Sequence, residues 1–301
     1  MADVRRWADV VERVRAHGLL AAAAALSRSA ITRRRKVMEH ANPSALDVRP
    51  VSFQSDSGAT IRAWFLAGSP GSGAVLLLHG VGADRRSMVA RARFLHTLGY
   101  SVLLPDFQAH GESEGARITF GALERLDVDA AIGFLRECCR GERVGMIGVS
   151  LGGAAALLAS GRLPADAYVL ESVFPTIRQA LEARLRVWLG PLGVLSRLIA
   201  SPVMAAVGAD IGVAEHALCP IDVIGRVGSP VFVIAGTRDS YTPLHESRAL
   251  FEQAREPKTF WAVEGARHED LHVFAGALYE QRVGDFLARH LRTISLDREA
   301  R

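Results

Sequence analysis

The chain of 301 residues has little cysteine, with three in all. Cys138 and Cys139 are adjacent and Cys219 stands apart, so the spacing excludes a disulfide framework, and packing is the expected role of the thiols. No CxxC pair and no Cys/His cluster predicts a metal site. We therefore predict neither a bound metal nor a cofactor.

Long apolar runs are also lacking, and from sequence no segment is expected to be long enough to cross a bilayer. The apolar stretch at 19–26 follows a segment of mixed charge, whereas a secretory signal begins with a cleaner positive charge. We therefore expect a cytoplasmic protein.

Positive and negative charges nearly balance along the chain, except at its start, where positive charge is in excess. The formal net charge is +4, but residues 1–40 hold nine Lys/Arg and four Asp/Glu. No basic face carries the aromatic or helical groups that read nucleic acid, so nucleic-acid binding is not expected. We predict a helical, basic N-terminal arm at 1–45. Two interpretations of it stay open, a solvated helix end or a weak contact with an anionic membrane or a partner.

What the sequence does contain is a series of short apolar runs. Two runs flanking Ser57-Gly58 predict an antiparallel hairpin. The later runs are apolar throughout and alternate with helical segments, which is typical of a parallel sheet covered on both faces. We predict an α/β fold, a mostly parallel, doubly wound sheet of about eight strands, spanning residues 46–292 and followed by a tail at 293–301. The expected strands are 49–54, 60–66, 74–78, 101–105, 143–149, 167–171, 230–236 and 258–265, and the expected helices are 86–98, 121–139, 150–160, 244–254 and 274–291.

The alternation stops between about 174 and 226. This interval is rich in Leu, Ala and Arg and predicts two or three helices without a strand. Ligands of open parallel sheets bind beyond the carboxyl ends of the strands. A helical insertion at this place would therefore form a cap over the site.

One motif carries chemistry. Gly148-Val149-Ser150-Leu151-Gly152 fits G-x-S-x-G and lies between a predicted strand and a predicted helix. A serine that projects from such a tight turn needs neighbours without a clashing Cβ, which Gly148 and Gly152 provide. Ser150 is the candidate nucleophile, and the helix N-terminus beneath it favours developing negative charge.

A serine nucleophile needs a base and an orienting acid, which in this architecture follow in the order acid, then histidine. Asp239 and His268 both follow predicted strands, so both lie at the same sheet edge as Ser150. The backbone N–H groups of Val81 and Leu151 are the candidate oxyanion donors.

His79 and Gly80 are predicted to shape the loop that carries the first oxyanion donor. His110 is expected to hydrogen-bond locally. Rival residues remain for the other roles, His272 as the base and Glu171 as the acid, whereas Asp270 is too close to His268 in sequence to support it easily.

With these residues assembled, the chain resembles the α/β-hydrolase-fold serine hydrolases, in particular the branch of serine-aminopeptidase-like and related bacterial esterases. The likeness spans about Val48 to Leu291. Gln108-Ala109 departs from the family pattern, since many members carry Arg-Gly there. The matching pieces are His79-Gly80, the segment from Asp106 to His110-Gly111-Glu112-Ser113, the turn at Ser150, Gly236 to Asp239, and Gly265 to His268.

The expected function is hydrolysis of a small-molecule carboxylic ester through an acyl-enzyme on Ser150. A thioesterase, an amidase or peptidase, or an acyltransferase would use the same residues and stays open as an alternative. A non-catalytic ligand-binding protein on the same fold is the alternative of a different class. A halide- or epoxide-processing enzyme would need an aspartate at position 150, which the sequence excludes. The oligomeric state stays open.

Overall fold

Residues 46–292 and Thr32 are described by the structure, a computed structural model. The predicted basic arm at 1–45, apart from Thr32, and the predicted tail at 293–301 lie outside the described residues.

Eight strands form one sheet in the order β1-β2-β4-β3-β5-β6-β7-β8. The pairs β1–β2 and β2–β4 are antiparallel, and every other neighbouring pair is parallel. This topology confirms the predicted sheet and its opening hairpin. The strands are β1 (Arg49–Gln54), β2 (Thr60–Leu66), β3 (Ala74–Leu78), β4 (Ser101–Pro105), β5 (Val144–Val149), β6 (Ala167–Glu171), β7 (Val231–Gly236) and β8 (Lys258–Val263).

Helices cover both faces of the sheet, because the central strands are apolar on both sides. In β3, Leu76 and Leu78 pack into one core cluster and Val75 and Leu77 into the other. All four are fully buried, each contributing roughly 1.5–3 kcal/mol through burial. The helices are α1 (Val89–Thr97), α2 (Glu124–Cys138), α3 (Leu151–Ala159), α4 (Ile177–Leu189), α5 (Ser196–Ile211), α6 (Pro220–Ile224), α7 (Leu244–Gln253), α8 (Leu271–Ala275) and α9 (Ala277–Leu291).

The insertion between β6 and β7 contains α4, α5 and α6 and no strand. A 3₁₀ helix at Gly190–Leu195 joins α4 to α5, and these two helices pack against each other. Helical structure therefore continues from Ile177 to Ile211, with a window of mean hydropathy 1.6 that is one-third buried. By length and composition the whole segment is a candidate membrane span, but it consists of two helices of 13 and 16 residues that pack against each other.

The last predicted helix, 274–291, is divided in the structure. Gly276 has φ +52°, a conformation that ends α8 and precedes α9. His272 consequently lies in the short helix α8 and not in the long helix after it.

Candidate active site

Ser150 lies in the turn between β5 and α3 and has φ +49° and ψ −109°. Such a backbone conformation is strained for any residue with a side chain. Ser150 is buried, and within residues 46–292 its Oγ has no hydrogen-bond partner. A strained, unpartnered serine hydroxyl contributes nothing evident to stability, which fits a chemical role.

Glycines make this turn possible. A Cβ at Gly148 would lie 2.5 Å from the backbone N of Gly153, and a Cβ at Gly152 would lie 2.3 Å from the carbonyl oxygen of Leu78. Both distances are too short for real atoms, so both positions require glycine. The role assigned to these two residues from sequence therefore has a direct steric cause.

Asp239 and His268 lie next to each other, after β7 and β8 respectively. Nδ1 of His268 is 2.8 Å from Oδ2 of Asp239. The carboxylate also accepts hydrogen bonds from the backbone N–H groups of Tyr241 and Thr242 and from the Thr242 hydroxyl, each at 2.8 Å. An ionised Asp239 accepts the proton on Nδ1 and thereby leaves Nε2 of His268 as the basic nitrogen.

Electrostatics keep Asp239 ionised. Burial alone would raise the pKa of this carboxyl group, but the hydrogen bond and charge of His268 and the donors of Thr242 outweigh burial and hold the pKa below its ordinary value of 3.8. A permanent negative charge at this place can stabilise a positively charged imidazole ring on His268.

The loop after β3 carries the first candidate oxyanion donor, and His79 fixes its peptide plane. Because the backbone N–H of Phe107 donates to Nε2 of His79 at 3.1 Å, the ring proton lies on Nδ1, which donates to the carbonyl oxygen of Gly80 at 2.8 Å. In a trans peptide the N–H points opposite to the carbonyl. Holding the Gly80 oxygen therefore aims the N–H of Val81.

A second buried histidine braces the same loop. His110 accepts a hydrogen bond from the backbone N–H of Gly82 at 3.4 Å, and its ring lies 5.0 Å from the ring of His79. Burial lowers the pKa of both histidines to about 4, so both are neutral near pH 7. The sequence predicted only local hydrogen bonds for His110 and missed this contact with the loop.

Gly80 approaches the serine but is not required by space. A Cβ at Gly80 would lie 3.8 Å from Cβ of Ser150 and 3.6 Å from the carbonyl oxygen of Val149, which are ordinary contacts. Its value to the site is the position of its carbonyl group, which His79 holds.

An apolar pocket joins the two candidate oxyanion residues to the insertion. Val81 and Leu151 line it from the sheet side, and α4 and α5 line it from the other. Including the solvent-filled space at its mouth, the pocket has about 450 Å³ that protein atoms do not fill. The residues from the insertion and its approach are Phe174, Ile177, Ala180, Leu181, Arg184, Met204 and Val207.

The rival acid and base have other partners. Glu171 forms a two-point ion pair with Arg91, at 2.7 and 3.1 Å, and accepts a hydrogen bond from Tyr279. Nε2 of His272 lies 2.9 Å from a carboxylate oxygen of Glu280. Asp270 pairs with Arg91 at 2.8 Å and caps α8.

The departure from the family motif has a backbone consequence. Ala109 has φ +58°, in the left-handed region that glycine adopts without strain. Gln108 replaces the usual arginine, and its amide donates to the carbonyl oxygen of Arg117 and to Glu124 at 3.1 Å.

Comparison with known sequences identifies the family of the chain. A sequence profile described as "Alpha/beta hydrolase family" matches residues 75–281, which is more than half of the chain. The chain belongs to the alpha/beta hydrolase family.

Relatives of this alpha/beta hydrolase occur in several bacteria. The uncharacterized protein Rv2307c of Mycobacterium tuberculosis is 31% identical over 257 residues, covering 81% of this chain and 82% of the relative. The uncharacterized protein YqkD of Bacillus subtilis is 25% identical over 240 residues, 76% of each chain. Among solved structures, the Pyrococcus furiosus esterase Pf2001 is similar in fold, with a TM-score of 0.71 at 23% identity over 87% of this chain and 98% of that chain.

The described part of this alpha/beta hydrolase contains no group of three or more His, Cys, Asp or Glu side chains arranged for a metal ion. Its three cysteines are free thiols.

Proposed function

We propose that this protein hydrolyses carboxylic esters through an acyl-enzyme on Ser150. The observation that carries the proposal is the arrangement around one serine, an unpartnered hydroxyl in a strained turn whose following residue lines an apolar pocket. The Pyrococcus furiosus structure of similar fold is named an esterase, which supports the reaction class.

The proposed chemical steps give each of these residues a role. Ser150 Oγ makes no hydrogen bond among the described residues, so its contact with Nε2 of His268 is part of the proposal. His268, held through Nδ1 by Asp239, accepts the proton of Ser150 through Nε2 as the serine oxygen attacks the ester carbonyl carbon. The carbonyl oxygen becomes negatively charged and is stabilised by the N–H groups of Val81 and Leu151. The tetrahedral adduct then expels the alcohol, which takes its proton from His268.

The second half returns the enzyme to its starting state. A water molecule gives a proton to His268 and attacks the acyl carbon, and the acid leaves as the proton passes back to Ser150. Because the candidate oxyanion residues line the apolar pocket, the pocket is placed to hold the acyl group. Its limited volume favours small to medium acyl groups.

Labelling with a fluorophosphonate probe tests the proposal. The expected result is one covalent adduct on Ser150, detected by peptide mass spectrometry, with no adduct in Ser150→Ala. Ser160→Ala is the matched control, because Ser160 lies at the opposite end of α3 and donates to the carbonyl oxygen of Leu157. A folded wild-type protein without an adduct on Ser150 would refute the mechanism.

Substrate assays refine the reaction class. An oxygen ester, a thioester and an anilide with the same acyl group should be cleaved with the oxygen ester preferred in kcat/KM. Preference for the thioester or the anilide would keep the serine mechanism but replace the proposed substrate class.

A further inference from the structure

Arg184 is a cation in the wall of the apolar pocket. It lies on α4 of the insertion and lines the same pocket as Val81 and Leu151. Its guanidinium carbon lies 5.5 Å from the ring centre of Tyr241, whose ring meets the His268 ring edge-on at 5.4 Å. The stem of Arg184 therefore lines the pocket, and its guanidinium lies over Tyr241, which is next to the proposed base.

No carboxylate of the described residues forms an ion pair with Arg184. Its hydrogen bond goes to the backbone carbonyl oxygen of Ala180, one turn earlier in α4, at 3.2 Å. Other arginines of the insertion behave differently, since Arg178 pairs with Glu215 and Arg197 lies 3.9 Å from a carboxylate oxygen of Glu182.

Such a charge is unfavourable without a partner. Burial lowers the pKa of Arg184 from its ordinary value, although nearby Tyr241 and Asp239 act in the opposite direction. The side chain is only partly buried and Asp239 is nearby, but Arg184 forms no ion pair among the described residues, so an anionic ligand that pairs with it would add a favourable interaction.

We propose that Arg184 binds a carboxylate group of the substrate, so that the preferred substrates are esters that carry one free carboxylate near the scissile bond. This inference rests on the proposed ester hydrolysis and adds the substrate class. A planar guanidinium matches a carboxylate through two parallel hydrogen bonds. One guanidinium balances a single negative charge, whereas a phosphate dianion would bring an uncompensated charge into an apolar pocket.

Isosteric ester pairs test the inference. Monoethyl succinate and ethyl isocaproate differ only in a carboxylate against an isopropyl group on the acyl side. Acetoxyacetate and isobutyl acetate differ in the same way on the alcohol side. The ratio of kcat/KM for the anionic ester over its neutral partner is measured by pH-stat for each pair, which also identifies the side that Arg184 contacts.

Wild-type enzyme should favour the anionic member of at least one pair. In Arg184→Gln the ratio for that pair should fall about ten- to hundredfold, the range expected for loss of a charge-assisted hydrogen bond. Arg184→Lys keeps the charge without the planar fork and should give an intermediate ratio. Arg197→Gln, which removes an exposed arginine of α5, should leave the ratio unchanged.

A preference for the neutral member of both pairs in wild type, or an unchanged ratio in Arg184→Gln, overturns the inference while leaving ester hydrolysis intact. A binding measurement separates this failure from failure of the proposed function. Calorimetry with monoethyl succinate should show binding to Ser150→Ala and none to Ser150→Ala/Arg184→Gln. Equal binding to both variants would overturn the inference even if no ester were hydrolysed.

Discussion

Replacing Ser150 should abolish turnover while leaving the fold as stable as before or more stable. Within the part of the chain that the structure describes, the buried Oγ has no hydrogen-bond partner, so Ser150→Ala removes an unsatisfied group. We expect the free energy of unfolding to rise by between zero and about 1 kcal/mol. Loss of the nucleophile should lower kcat by roughly a million-fold.

Ser150→Gly isolates the backbone strain at φ +49°. Relief of a strained non-glycine conformation is worth about 1–3 kcal/mol, and the added freedom of glycine in the unfolded chain costs about 0.5–1 kcal/mol. The variant with glycine at this position should therefore be more stable than the variant with alanine by between zero and about 2.5 kcal/mol. For a chain of this size that corresponds to a rise in Tm of several degrees.

Urea unfolding of wild type, Ser150→Ala and Ser150→Gly, followed by circular dichroism, measures both differences. Ser172 is the matched control, because it follows β6 with φ +48° and its buried Oγ has no hydrogen-bond partner among residues 46–292. Its alanine and glycine variants should show the same order of stability. A loss of more than about 1 kcal/mol in Ser150→Ala would show that the hydroxyl supports the fold and would refute the reasoning.

Four further predictions concern other parts of the fold. His79→Ala should lower kcat about hundredfold with less effect on KM, because the oxyanion peptide loses its anchor; steady-state kinetics showing an unchanged kcat would contradict this role. Arg91→Met should cost about 3–5 kcal/mol in urea unfolding by leaving buried Glu171 unpaired, and adding Glu171→Gln should restore part of the loss; no recovery would argue against the ion pair as the cause. Ala109→Gly should raise Tm by relieving φ +58°, whereas a fall in Tm would show that the alanine methyl group is needed for packing. Burial raises the pKa of Glu246 from 4.5 to about 7, so as the pH rises the unfolded chain loses this proton before the folded chain does. The free energy of unfolding should therefore fall as the pH rises from 4.5 to about 7. Glu246→Gln should make this pH dependence weaker, and an unchanged pH dependence would assign it to other groups.

Much of the fold could be predicted from sequence because its signals are local. Apolar runs bounded by helical segments placed all eight strands within about two residues of their observed ends. The division at Gly276 was missed, because one glycine within a helical pattern is usually tolerated and its positive φ depends on the surrounding structure. Pro202 was equally ambiguous. It reads as a break in sequence, yet it lies inside α5.

The candidate site was also predictable from sequence only in part. Ser150, Asp239 and His268 follow strands, so the topology alone brings them to one edge. The rival residues pair with side chains from distant parts of the chain, as Glu171 does with Arg91. No local pattern encodes a pairing across 80 positions. Arg184 was missed for a related reason, since one arginine on an amphipathic helix is expected to face solvent.

The position of β8 at the edge of the sheet links the activity to the order in which the molecule opens. Among the described strands, β8 hydrogen-bonds to β7 alone, whereas β5, which leads to Ser150, lies between two neighbours. Edge strands fray at lower free energy than central ones, so amide exchange should be faster in β8, which precedes His268, than in β5, which precedes Ser150. A low concentration of denaturant should then abolish catalytic activity while most of the sheet is still folded. Activity would therefore be lost at a lower denaturant concentration than the one that unfolds the whole domain, because the edge strand β8 opens first.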